Sequence, residues 1–167
     1  MNKTNHTDPA WPLEIHTEIL PRLWQGGTAN EDTFNQLREP QITKQQFDSV
    51  YTLYAFANPV DWMVREVRLG FYDDYEALSI DSGELYRLAR MAHRDWKRGE
   101  RVLIRCQAGL NRSGLIMGLT LLKEGYSAEQ AIELMRAKRA SHVLMNPLFE
   151  SWLMAHDHQT LLFSSAA

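Results

Sequence analysis

A short apolar run, Val102-Leu103-Ile104, leads into the loop Cys106-Gln107-Ala108-Gly109-Leu110-Asn111-Arg112-Ser113, and a segment of helical pattern from Ser113 to Lys123 follows. A strand that feeds a short Gly-containing loop opening a helix restricts the chain to α/β architectures, because the helix must pack back on the sheet its strand belongs to. The same arrangement has a chemical consequence. Loop amides and the unsatisfied N–H groups of the helix converge on one point, where the helix dipole favours negative charge. A thiol in that field is expected to lose its proton more readily than a free one. Arg112, six residues after Cys106, can curl back and present a planar fork to a tetrahedral oxyanion.

A nucleophilic sulfur, a ring of N–H donors and a guanidinium clamp describe hydrolysis of a phosphate ester without metal or cofactor. Cys106 is the expected nucleophile, forming a cysteinyl-phosphate that splits one displacement into two. Arg112 and the amides of Gln107, Ala108, Gly109, Leu110, Asn111 and Arg112 are expected to hold the equatorial oxygens. Ser113 is placed to donate a hydrogen bond to the sulfur as it leaves. A lone buried cysteine acting as apolar filler is the commoner fate of free Cys, but it leaves Gln107, Asn111, Arg112 and Ser113 unexplained. The leaving oxygen needs a proton, so a carboxylic acid must come from elsewhere. Asp73 and Asp74, in the turn after a strand ending near Phe71, are the candidates, with Asp74 favoured over Asp73. Glu76 and Asp81 stand further from that strand end, and Asp81 already serves as a helix cap.

Around this unit the chain reads as one domain over 11–160, with short flexible ends at 1–10 and 161–167. A length of 167 residues suffices to bury roughly 68–70 % of the unfolded surface. Glu14 to Trp24 reads as paired short strands with a turn near Pro21, ending at Gly26-Gly27. Thr28 with Glu31 signals a helix to about Arg38. Asp48–Phe56 and Val64–Phe71 read as strands. Asp81 with Glu84 caps a helix that Gly99 ends. Gly125 closes the helix after the loop, Ser127 with Gln130 opens another, and Asn146-Pro147 starts the last. The expected fold is a twisted, mostly parallel central sheet flanked by helices on both faces. The Tyr54–Trp62 and Phe71–Leu78 segments are expected to wall the site.

Composition narrows the partners. A net charge of −3 argues against broad nucleic-acid or membrane affinity. No apolar run approaches the ~18 residues of a membrane span, and Met1 to Pro9 is polar, with no signal-peptide apolar core. A single cysteine allows no disulfide within the chain and suits a reducing cytoplasm. A cytoplasmic monomer acting on a phosphorylated protein is the expectation.

These motifs resemble the dual-specificity branch of the cysteine-based protein tyrosine phosphatases, over nearly the whole chain. Ile19-Leu20-Pro21-Arg22-Leu23-Trp24-Gln25-Gly26-Gly27 is similar to that family's opening strand, and Phe47 to Leu53 sits where its first central strand lies. Asp74 stands 32 positions before Cys106, a separation typical of the family's general acid. Asn146-Pro147-Leu148-Phe149 resembles the start of its terminal helix. The resemblance implies a metal-independent phosphatase acting on phosphotyrosine and on phosphoserine or phosphothreonine. The chain departs from the family in carrying Arg105 where His usually precedes the nucleophile; a second cation there is expected to favour the thiolate. The phosphate loop has no Lys, which counts against an inositol-lipid substrate. Two alternatives stand beside this reading. Gly109-Leu110-Asn111-Arg112-Ser113-Gly114 is also close to the loop of RNA 5′-triphosphatases of the same superfamily, and a pseudo-phosphatase would bind phosphate without turnover.

Overall fold

Alternation of apolar residues along short segments builds the sheet, and every crossover in it returns the chain to the same end. The computed structural model describes residues 10–28 and 39–157. Its strands are β1 (His16–Leu20), β2 (Leu23–Gly26), β3 (Ser49–Thr52), β4 (Arg65–Arg68) and β5 (Val102–Arg105), in the spatial order β1-β2-β5-β3-β4. β1 and β2 form an antiparallel hairpin, whereas β2, β5, β3 and β4 run parallel. The helices are α1 (Ser82–Lys97), α2 (Arg112–Glu124), α3 (Ala128–Lys138) and α4 (Pro147–Ala155). The helix expected from Thr28 to Arg38 and the two flexible ends fall largely outside the described residues.

Side-chain parity divides the sheet into two faces. Leu23, Tyr51, Val102 and Ile104 point to the face that the four helices cover. Val50 and Leu103 point to the other, where Ile42, Phe47 and Val64 close a smaller cluster with Trp24 beside it. α2 is buried all along Arg112–Leu122, which makes it the central helix of the larger layer. Each apolar side chain fully buried there stabilises the fold by about 1.5–3 kcal/mol. Gly118 lets α4 close on α2: a Cβ at that position would stand 2.5 Å from Leu153 Cδ2.

The caps follow the sequence signals. Asp81 accepts from the Gly83 amide, Ser127 and Gln130 form a reciprocal capping box, and Asn146 accepts from the amides of Leu148 and Phe149. Gly125 ends α2 at φ 115°, a left-handed turn that favours glycine. The strands are shorter than expected, β3 stopping at Thr52 and β4 spanning only Arg65–Arg68. No helix among the described residues is long and apolar enough to cross a membrane. After β4 the chain crosses the helical face through α1 to reach β5, while the path through Ile42 and Phe47 to β3 lies on the opposite face. Where neighbouring strands send their connections to opposite faces, a crevice opens beyond the strand C-termini. The loop that follows β5 occupies that place.

Candidate active site

The 106–111 loop is held by its carbonyls. The Cys106 amide still belongs to the sheet, donating to Gly26 O at 3.1 Å. Beyond it, Gln107 O accepts from the Thr28 amide at 2.8 Å and Leu110 O from the Leu144 amide at 3.2 Å. Gly109 O accepts from Arg139 Nε at 2.7 Å and Gln25 Nε2 at 3.1 Å, and Ala108 O from Arg139 Nη2 at 3.3 Å. Asn111 O accepts from the Leu115 amide in the first turn of α2. With the carbonyls from Gln107 to Asn111 all engaged, none of the amides over the same residues has an acceptor among the described residues. Successive unpartnered amides at a helix start form a concave anion site.

Two glycines permit this curl. Gly109 has φ 72°, and a Cβ there would lie 2.5 Å from both the Gly26 carbonyl carbon and Arg139 Nη2. A Cβ on Gly27 would meet Gln107 O at 2.6 Å. The loop therefore packs backbone to backbone on the end of β2.

Cys106 is 2 % exposed, and its Sγ lies 3.4 Å from Ser113 Oγ. Gln25 Nε2 donates to that same hydroxyl oxygen at 3.3 Å. The Gly109 carbonyl requires the nitrogen side of the Gln25 amide, so the Ser113 oxygen acts as acceptor there and its proton is free to point at the sulfur. Arg112 is fastened by one Nη1 bond to Phe71 O at 3.1 Å, and its Cζ lies 5.3 Å from the Tyr54 ring centroid. Its buried Nε has no partner among the described residues. A buried guanidinium N–H without an acceptor is costly unless a ligand supplies one.

The two adjacent carboxylates separate. Asp73 accepts from Asn111 Nδ2 on one oxygen and from Asn146 Nδ2 on the other, both at 2.8 Å. Asn111 Oδ1 in turn accepts from the Asn146 amide. Asp73 thus ties its own turn to the 106–111 loop and to the start of α4. Asp74 Oδ1 accepts from the Glu76 amide in a local turn, and its second oxygen has no partner among the described residues. Arg105, expected beside the thiol, points instead to the opposite sheet face and pairs with Glu39 and Glu66. The parity of β5 sends it there, and its charge is already matched.

The loop from Cys106 leads directly into α2, whose first turn carries Arg112 and Ser113, and of these Ser113 is the side chain that meets the sulfur. Gln25, Thr28 and Arg139, which hold the loop from outside, were not foreseen. Arg139 is 5 % exposed, and burial lowers its pKa to about 10, against the opposing pull of Cys106 and Glu14. A basic residue at the end of an amphipathic helix ordinarily reads as a dipole partner, so only its burial marks it.

The chain matches the model of the dual specificity phosphatase catalytic domain over residues 73–159. It belongs to the dual-specificity phosphatases and is a cysteine-based phosphatase by family. No curated protein matches the chain. Among solved structures it is similar to human DUSP28 (19 % identity, 89 % of this chain and 97 % of that one, TM-score 0.68) and to DUSP15 (18 %, 87 % and 88 %, 0.70). PTPMT1 in complex with PI(5)P shares the fold at 17 % identity over 91 % of this chain and 100 % of that one, with a TM-score of 0.69.

Proposed function

We propose that the protein is a phosphotyrosine phosphatase, extending to phosphoserine and phosphothreonine, that works through a cysteinyl-phosphate. The observation that carries this reading is the loop after Cys106, whose carbonyls from Gln107 to Asn111 are engaged while its amides and Arg112 Nε have no partner among the described residues. In the first step the Cys106 thiolate attacks phosphorus in line, the P–O bond to the leaving group breaks, and Asp74 gives its proton to the departing oxygen. Charge on the equatorial oxygens is met by the loop amides and Arg112. In the second step water attacks phosphorus, Asp74 takes its proton, and the S–P bond breaks as Ser113 donates to the sulfur. A thiolate nucleophile fits a reducing compartment, and the protein is proposed to act there as a monomer.

Substrates carrying further phosphates are disfavoured. Besides Arg112, the guanidiniums of Arg68, Arg105 and Arg139 are engaged by protein acceptors, while the carboxylate of Asp73 is bonded to Asn111 of the loop. The similarity to PTPMT1, whose structure contains PI(5)P, keeps a phosphoinositide as the second reading. The test is a panel of phosphotyrosyl, phosphoseryl and phosphothreonyl peptides alongside a 5′-triphosphorylated RNA and an inositol phosphate. Turnover is expected to favour the phosphotyrosyl peptide and to vanish in Cys106→Ser, which still binds vanadate. A Cys106→Ser variant keeping more than about a tenth of the wild-type rate overturns the mechanism. Preference for the inositol phosphate or the RNA overturns the substrate class alone.

A further inference from the structure

Arg105 stands one residue before the nucleophile and is 1 % exposed, yet it makes no bond to the phosphate loop. Its Nε donates to Thr52 Oγ1 at 3.0 Å and its Nη1 to Glu39 Oε1 at 2.5 Å. Its Nη2 donates to Asn58 O at 2.7 Å and Glu66 Oε2 at 3.2 Å. Arg68 grips the same stretch of backbone from the other side, donating to Ala55 O at 3.3 Å, Ala57 O at 2.9 Å and Asn58 O at 3.3 Å. Glu39 completes the grip by accepting from the Asn58 amide at 2.7 Å. Two guanidiniums and two carboxylates, balanced in charge, therefore hold the 55–58 turn through its backbone.

That turn carries an aromatic pair. Tyr54 lies against Arg112 and makes an edge contact with Phe56 at 5.7 Å between centroids. Phe56 is 83 % exposed. Across from them, Phe71 O fixes Arg112 Nη1, and the same segment leads to the exposed Tyr72. A single exposed aromatic needs no explanation. One whose backbone is held by a charge-balanced network anchored on the buried Arg105, beside a guanidinium with an unpartnered Nε, is a placed surface. Taking the loop as an oxyanion site, we propose that Arg105 is a positioning residue for specificity. Through the 55–58 turn it holds Tyr54 and Phe56 as an aromatic wall over Arg112, and that wall selects a phosphate carried on an aromatic ring. Histidine is too short to span from β5 to Glu39 and Asn58 together and has no planar five-donor fork, so the family's usual residue could not hold this turn.

The test compares binding of inorganic phosphate and phenylphosphonate, a non-hydrolysable aryl ligand, by calorimetry. The wild type is expected to prefer the aryl ligand. Tyr54→Ala and Arg105→Met are each expected to cut that preference roughly three- to tenfold, the worth of one ring contact, while phosphate affinity holds. The double variant should lose little more than either single one, because both changes remove the same wall. Arg105→Met strands the partly buried Glu39 and leaves Glu66 with Arg68 alone, which risks unfolding, so Arg105→Met/Glu39→Gln/Glu66→Gln is measured beside it. A preference that survives in Tyr54→Ala, or in the folded triple variant, overturns the inference. If the wild type binds neither anion, the oxyanion-site reading itself fails, and the inference with it.

Discussion

The two ends of the parallel sheet are built from the same materials and left in opposite states. At the N-terminal end, Asp95 is 1 % exposed, and its oxygens accept from the Tyr51 hydroxyl, Arg65 and Arg94. Asp48 there accepts from the Arg101 amide and guanidinium and from Lys44, and Arg101 holds its carboxyl well below the usual carboxylate range. These carboxylates are fully engaged. At the C-terminal end the loop amides, Arg112 Nε and one oxygen of Asp74 have no partner among the described residues. Polar groups that the fold itself satisfies contribute stability; polar groups held in place but left unsatisfied await a ligand. The difference separates the end that holds the sheet together from the end left open to a ligand.

One isosteric change, made at each end, probes this contrast. Asp74→Asn is expected to lower turnover of a phosphotyrosyl peptide by roughly 10²–10⁴, the range for a general acid, with little change in unfolding free energy. The loss should shrink with an aryl phosphate whose leaving group is more acidic, since less protonation is then needed. Asp73→Asn separates the neighbours: its carboxylate positions Asn111 and Asn146, so its loss should not depend on the leaving group. If the dependence appears in Asp73→Asn instead, the acid moves by one residue.

Asp95→Asn should do the reverse. It removes the charge facing Arg65 and Arg94 and forces an amide against their donors. A cost of about 3 kcal/mol is expected, at the low end for a broken buried pair because Arg65 is itself half in solvent. Denaturant unfolding reads the loss directly, and kcat at a temperature where the variant is folded should stay near normal. A large fall in kcat with unchanged stability would break the division between the two ends.

The smallest effect sharpens it through pH. His16, on the hairpin strand beside the loop, is held neutral by burial, with Arg139 and Arg105 adding to the effect, and its pKa falls to about 4. The native value lies below the unfolded 6.5, so between the two the unfolded chain takes up a proton the native one refuses. Stability contributed at this site is complete above about pH 6.5 and declines as pH falls toward about 4, by about 1–3 kcal/mol. His16→Phe keeps a ring against Phe47 and removes the titration. Unfolding curves at about pH 7.5 and about pH 5 should then differ less than in the wild type; equal differences would exclude His16 as the source.

What the sequence determined by itself was local. Asp81, Ser127 and Asn146 each satisfy amides two or three residues away, and Gly125 needs only its own freedom at positive φ, so these boundaries could be read without the fold. The same holds for the contact of Cys106 with Ser113, which lie on one strand–loop–helix unit whose spacing nearly dictates their meeting. The tertiary structure decided whatever depended on partners far along the chain. β3 stops at Thr52 although apolar and aromatic residues continue, because Arg68 and Arg105 draw the following backbone into a turn. Asp73 and Asp74 are equivalent in sequence, and only the approach of Asn111 and Asn146 tells them apart. Arg139 reads as an ordinary cation at a helix end until the packing of α3 carries it under Gly109. Backbone caps and one tight loop are short-range and carry their own signal, whereas a buried charge takes its role from whichever groups the packed chain brings to meet it.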